Sequence, residues 1–170
     1  MRGPREMSVE YPITPGVRQL RELGIEFEPH VFDYVEKGGT GHSSEVLGVS
    51  EHEVVKTLVF RTAEREGIIV LMHGDMKVST RELGRLAGLK KVGPASPEDA
   101  NKLTGYQVGG ISPFGLKTKM RIFGEETIRD LRKIYINAGK RGFLVALDPK
   151  SFWELLEIES VKVGFREGDN

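Results

Sequence analysis

Apolar positions along the chain switch repeatedly between helical and strand-like spacing, with polar or glycine-rich punctuation between the blocks. Thr14-Pro15, a hydroxyl N-cap with proline at the first helical position, opens a run carrying Val17, Leu20 and Leu23 at helical intervals, and Gly24 stops it. Residues 26–34 alternate like a strand, and Pro29 restricts that strand to a sheet edge. Residues 37–41 read as a loop and 43–47 as a short helix ended by Gly48, after which Ser50 and Glu53 have capping-box spacing. Residues 54–60 form a β-branched, apolar strand whose hairpin partner is 67–72. Ser79 caps a helix bearing Leu83, Leu86 and Ala87.

Further along, Lys91-Val92 reads as a short strand, and Ser96-Pro97-Glu98-Asp99 starts a helix with cap, proline and dipole-matched acids together. The spacing predicts strands at 134–136 and 143–147, a helix over 149–156 and a last strand at 161–163. Elements do not alternate strictly as βαβ, which disfavours a doubly wound fold and predicts an α+β domain with a mixed sheet. No internal repeat or long linker interrupts the 170 residues, a length suited to one core.

Composition narrows the chemistry. With no cysteine, disulfides, thiolate metal sites and a cysteine nucleophile are excluded. No run of about 18 apolar residues is present to span a bilayer, and residues 1–12 mix Arg2, Arg5, Glu6 and Glu10, unlike a signal segment, so a soluble cytoplasmic protein is expected. Formal charge is zero, but residues 115–141 hold eight basic side chains against three acidic ones, making this segment the candidate polyanion face.

Lys56 is out of place in an apolar strand run, where an ammonium is costly unless it reaches water or a partner. It either snorkels from a half-exposed strand or lines a cavity. Gly109-Gly110-Ile111-Ser112-Pro113-Phe114-Gly115 is the densest glycine cluster, able to bring backbone N–H groups close to an oxyanion or to serve as a plain tight turn. It matches neither a P-loop nor a dinucleotide fingerprint, and Ser112 is not in a nucleophile elbow. His30, His42, His52 and His73 lack metal-ligand spacing, so no metal is expected.

Three stretches in order, 54–58 around Lys56, 105–115 through the glycine cluster and 135–142 (Tyr-Ile-Asn-Ala-Gly-Lys-Arg-Gly), resemble the YbaK/EbsC family, which includes the editing domain associated with prolyl-tRNA synthetases. The resemblance runs over about residues 14–164, leaving 1–13 and 165–170 as tails. It implies a single α+β domain with a barrel-like mixed sheet flanked by helices. It also implies hydrolysis, or thiol-assisted release, of the ester that links a mischarged amino acid to tRNA, with no cofactor. Lys56 is then the catalytic residue. Phe32, Thr57, Gly109, Gly110, Ile111, Ser112, Pro113, Phe114, Gly115, Asn137, Gly139 and Leu144 become the expected substrate contacts.

Lys117, Lys119, Arg121, Lys140 and Arg141 are the candidates for binding tRNA phosphates. Phe32 and Leu144 stand where some cysteine-directed relatives carry a tyrosine and an acid, which points to a small, weakly polar amino acid, alanine or cysteine. The expected protein is a free-standing deacylase acting on mischarged tRNA, with tRNA(Pro) as the expected tRNA and prolyl-tRNA synthetase as a candidate partner. A non-catalytic tRNA-binding or synthetase-associated module, and a hydrolase of another small ester, are the alternatives.

Overall fold

The computed structural model describes residues 10–168; residues 1–9, which include Arg2, Arg5 and Glu6, and residues 169–170 lie outside the described residues. Helix α1 (Pro15–Glu22) begins where Thr14 Oγ1 accepts from the Val17 N–H at 3.0 Å, and it buries Gly16, Val17 and Leu20. The same hydroxyl donates to the Ala138 carbonyl, so the cap also docks the helix. Strand β1 (Glu28–Val31) follows, then helix α2 (Gly39–Leu47), a 3-10 turn at Glu51–Glu53, and the hairpin of β2 (Val54–Arg61) and β3 (Gly67–His73). Next come β4 (Lys77–Val78), helix α3 (Thr80–Ala87), β5 (Gly93–Pro94) and helix α4 (Pro97–Thr104). The chain continues through β6 (Arg121–Glu125), β7 (Ile134–Lys140), β8 (Phe143–Leu147), β9 (Glu159–Val161) and β10 (Gly164–Phe165).

The main sheet is mixed, as expected for an α+β domain, in the order β1-β8-β7-β2-β3-β6-β9 with β5 also on β2; β10 pairs with β4. Proline-bearing β1 takes the edge, where the missing N–H at Pro29 costs least. Because side chains alternate along a strand, β2 sends Val55 and Val59 into one apolar cluster with α1, Phe114 and Trp153, and Leu58 and Phe60 into another with Leu83 of α3. Central β3 is apolar throughout, and Ile68 to Met72 are fully buried between the two clusters.

Several local expectations change. Residues 37–41 do not stay a loop, because α2 starts at Gly39. The helix expected over 149–156 is only a 3-10 turn at Pro149–Ser151 followed by irregular turns, because the backbone leaves helical angles at Phe152 (φ −123°, ψ −10°). The short strand lies at Gly93–Pro94 instead of 91–92, and the last strands are Glu159–Val161 and Gly164–Phe165. Strand β6 was not signalled by the hydrophobic pattern. Packing also continues past 14–164, since Tyr11 stacks on Phe143 and Arg166 bonds Asp75 at 2.9 Å.

Candidate functional site

The geometry of the site starts from an interruption in the sheet. Strand β2 pairs with β7 only at Val54 and Val55 and with β5 only at Phe60 and Arg61, so the edge facing away from β3 is open between them. The Gly74 N–H donates to the Val54 carbonyl at 2.7 Å, which sets the alternation: even-numbered residues of β2 turn their backbone groups toward β3 and odd-numbered ones turn away. Val55 therefore faces β7, the Val59 carbonyl accepts from the Ala95 N–H at 3.0 Å, and Thr57 between them faces the gap. Among the described residues the buried Thr57 hydroxyl has no hydrogen-bond partner. Such a group is a standing cost unless a ligand satisfies it.

The gap opens into a cleft of about 800 Å³, within the range of small-ligand sites. Its walls include Lys56 and Thr57 from β2, Phe32 and Leu144 from the β1–β8 side, Asn137 from β7, and Gly109 and Ile111 from the glycine cluster. Phe32 and Leu144 belong with Val54 to a small apolar cluster, so that wall of the cleft is apolar. Arg141 stands at the rim.

Lys56 is half-buried, and its Nζ donates to the Gly74 carbonyl at 3.2 Å. That carbonyl also receives the Thr40 hydroxyl at 3.3 Å, while the same hydroxyl donates to Glu51 Oε2 at 2.6 Å. Gly74 must lack a side chain, because a Cβ there would come within 2.7 Å of Thr40 and 2.8 Å of the Glu51 carbonyl. Burial pushes the Lys56 ammonium below the usual lysine pKa, the charges of Glu51 and Asp75 push it back up, and Lys77 adds a smaller push downward.

Beside this group, His52 stacks on His73 with ring centroids 3.7 Å apart. Burial keeps His73 below the ordinary histidine pKa, and its Nδ1–H donates to the His52 carbonyl at 2.8 Å, leaving Nε2 to accept from Thr127 at 2.7 Å. Burial pushes the Asp75 carboxyl up, but hydrogen bonds from His52 and Arg166 outweigh it and hold the group below its ordinary value.

The remaining expected contacts lie elsewhere. Gly110 is buried against the β7–β8 turn, where a Cβ would fall 2.7 Å from the Arg141 nitrogen. Ser112 is buried and accepts from the Phe114 N–H at 3.1 Å, and Phe114 packs edge-on to Phe152 in the core. Pro113 lines a second, smaller groove. Gly115 has φ +67° and donates its N–H to Gln19 Oε1 of α1 at 2.7 Å. Gly139, at φ +113°, leaves room for the Tyr106 ring, whose hydroxyl donates to the Phe114 carbonyl and, with its pKa pushed up to about 12 by burial, stays protonated.

The five basic candidates divide between two places. Lys140 and Arg141 sit on the β7–β8 turn beside the cleft. Lys119 and Arg121 line the second groove, where Arg121 is already held by two 2.8 Å bonds to Glu159, and Lys117 packs near Gly105. Sequence reasoning missed Tyr34, Thr40, Glu51 and Gly74. Thr40 falls in residues 37–41, whose pattern reads as a loop, and no local signal ties it to Gly74, 34 residues later.

Known proteins resemble this chain in sequence and fold. A relative from Enterococcus faecalis, "Putative Cys-tRNA(Pro)/Cys-tRNA(Cys) deacylase EbsC", is 25% identical over 155 residues, covering 91% of this chain and 94% of that protein. Proline--tRNA ligase of Streptococcus equi subsp. zooepidemicus is 31% identical over 121 residues, 69% of this chain but only 19% of the ligase. Among solved structures, one titled "Crystal structure of a putative trans-editing enzyme for prolyl tRNA synthetase" superposes with TM-score 0.77 at 21% identity, covering 92% of this chain and all of that one. Residues 40–155 match the family described as "Aminoacyl-tRNA editing domain", a span that holds Thr40, Lys56, the glycine cluster and the β7–β8 turn, and the chain belongs to that family.

Proposed function

We propose that this chain is a free-standing trans-editing deacylase that hydrolyses the ester between a mischarged small amino acid, alanine or cysteine, and the 3′ end of tRNA(Pro). The observation that carries the reading is that the half-buried Lys56 ammonium and the open Thr57 edge both line one cleft. In the reaction, the oxygen of a water adds to the ester carbonyl carbon, and negative charge develops on the carbonyl oxygen. Lys56 and the Thr57 N–H stabilise that charge. The bond to the ribose oxygen then breaks, the ribose oxygen takes the proton that the attacking water gives up, and free amino acid and deacylated tRNA leave. Preorganised donors of this kind are each worth about 2.7 to 4 kcal/mol of barrier.

Phe32, Val54 and Leu144 form the wall against which the amino-acid side chain rests. A methyl or thiol loses few hydrogen bonds against that wall, whereas a serine hydroxyl finds no partner on Phe32, Val54 or Leu144 and carries a desolvation cost there. Prolyl-tRNA is spared by the bulk and secondary amine of its ring. Gly109, Ile111 and Asn137 line the opposite side. Gly110, Ser112, Pro113, Phe114, Gly115 and Gly139 act on substrate through the shape they give that side. Lys140, on the β7–β8 turn at the mouth, contacts phosphate. The protein works in the cytoplasm alongside prolyl-tRNA synthetase, a pairing supported by the similarity to proline--tRNA ligases.

The test is a panel of tRNA(Pro) charged with Ala, Cys, Ser or Pro, scored for amino-acid release above the spontaneous rate. Release of Ala, Cys or both is expected. A clear preference for Ser or Pro contradicts the pocket argument.

A further inference from the structure

Three segments meet at one rim of the cleft, and hydrogen bonds lock them together. The Phe32 N–H donates to the Gly142 carbonyl at 2.9 Å, tying residues 32–34 to the β7–β8 turn. Asn137 Nδ2 donates to the Gly109 carbonyl at 3.3 Å and to the Lys140 carbonyl at 3.0 Å, tying the glycine cluster to the same turn. Arg141 Nε donates to the Val108 carbonyl at 2.9 Å. Its guanidinium lies over the Tyr34 ring, 4.9 Å from the centroid.

The pair is built, not incidental. Gly109 has φ +94°, and a Cβ there would come within 2.7 Å of the Tyr34 hydroxyl and 3.2 Å of Arg141 Nε, so the glycine keeps open the space that the stacked pair fills. Tyr34 remains 38% exposed, flanked by Val35 at 47% and Val108 at 39%, a cluster of large apolar surface on a rim that solvent would otherwise make polar. Among the described residues Arg141 has no carboxylate partner, in contrast to Arg121, which Glu159 holds with two bonds. A planar cation stacked on an aromatic ring at the mouth of an ester-binding cleft is what a single-stranded nucleobase recognises, since any base offers a π-face to stack.

We propose that Tyr34 and Arg141 form the subsite for the 3′-terminal nucleobase of the tRNA, which extends the Tyr34–Arg141 stack while its aminoacylated ribose reaches toward Lys56. This rests on the aminoacyl-tRNA reading above, because a base can occupy the rim in this way only if its own ribose carries the ester into the cleft. The role it gives Arg141 is that of a stacking plane, distinct from a point charge on a phosphate.

The test uses two non-hydrolysable probes titrated by calorimetry, 3′-alanylamino-3′-deoxyadenosine and the same alanylamino-ribose without a base. Neither carries a phosphate. Tyr34→Leu and Arg141→Lys should each weaken the adenosine probe roughly ten- to a hundredfold and leave the abasic probe unchanged, while Tyr34→Phe retains most of the affinity. Melting curves on the same samples establish that each variant is folded. Equal weakening of both probes, or an Arg141→Lys variant that binds the adenosine probe like the parent, overturns the proposal. Because binding here needs no turnover, failure of the parent protein to deacylate any tRNA would sink the enzymatic reading and leave this result to stand or fall separately.

Discussion

Gly115→Ala is expected to damage stability through the seating of α1. Gly115 sits at φ +67°, where an L side chain costs about 1 to 2 kcal/mol. Its Cβ would also overlap the Pro15 carbonyl group and lie 2.7 Å from the Gly16 nitrogen, so it strikes rigid backbone in the first turn of the helix. Relief requires α1 to move, which puts at risk the 2.7 Å bond from the Gly115 N–H to Gln19 and the bond from Thr14 to the Ala138 carbonyl. Each such buried bond is worth about 1 kcal/mol. The expected loss is about 3 to 4 kcal/mol, or roughly 10 °C in Tm for a domain of this size. Gly24→Ala is the control, because Gly24 has φ +69° with nothing within 4 Å of a Cβ and so carries the backbone strain without the collision. Urea unfolding followed through the buried Trp153 compares the two. If Gly115→Ala is no more destabilising than Gly24→Ala, the docking argument is wrong.

Two further outcomes follow from the charges. The ammonium of Lys56 is the form that stabilises an oxyanion, so turnover falls as pH rises through its pKa; removing the opposing charge in Glu51→Gln lowers that pKa and moves the alkaline limb of the rate profile to lower pH, and an unmoved limb would detach Glu51 from Lys56. Charge reversal at Lys140 should weaken tRNA binding and flatten its salt dependence by about one counterion, whereas reversal at Arg121, already paired with Glu159, should cost stability more than affinity; equal losses in tRNA affinity at the two sites would contradict the division of the basic segment.

The strands that build the cleft were legible because their chemistry is local. A β-branched run at Val54–Arg61, an apolar partner at Gly67–His73 and caps at Thr14, Ser50, Ser79 and Ser96 all act over a few residues. Strand β6 escaped because only Ile122 and Phe123 mark it as apolar; its identity comes from parallel pairing with β3 and β9 at long range. Lys56 stood out as a charge in an apolar run. The bracket that holds it did not, since Thr40, Glu51 and Gly74 meet only after the hairpin forms. The glycine cluster was legible as a tight loop, but not which side each residue would face. Gly109 and Ile111 reach the cleft, while Ser112 and Phe114 turn into the core.

The most direct test of the central claim is the rate at which this protein releases alanine and cysteine from mischarged tRNA(Pro), measured for the parent chain and for Lys56→Ala with folding verified on the same preparations. The account predicts clear release by the parent and a loss of roughly a hundredfold or more in the variant. A folded Lys56→Ala protein that turns over at near the parent rate would contradict it.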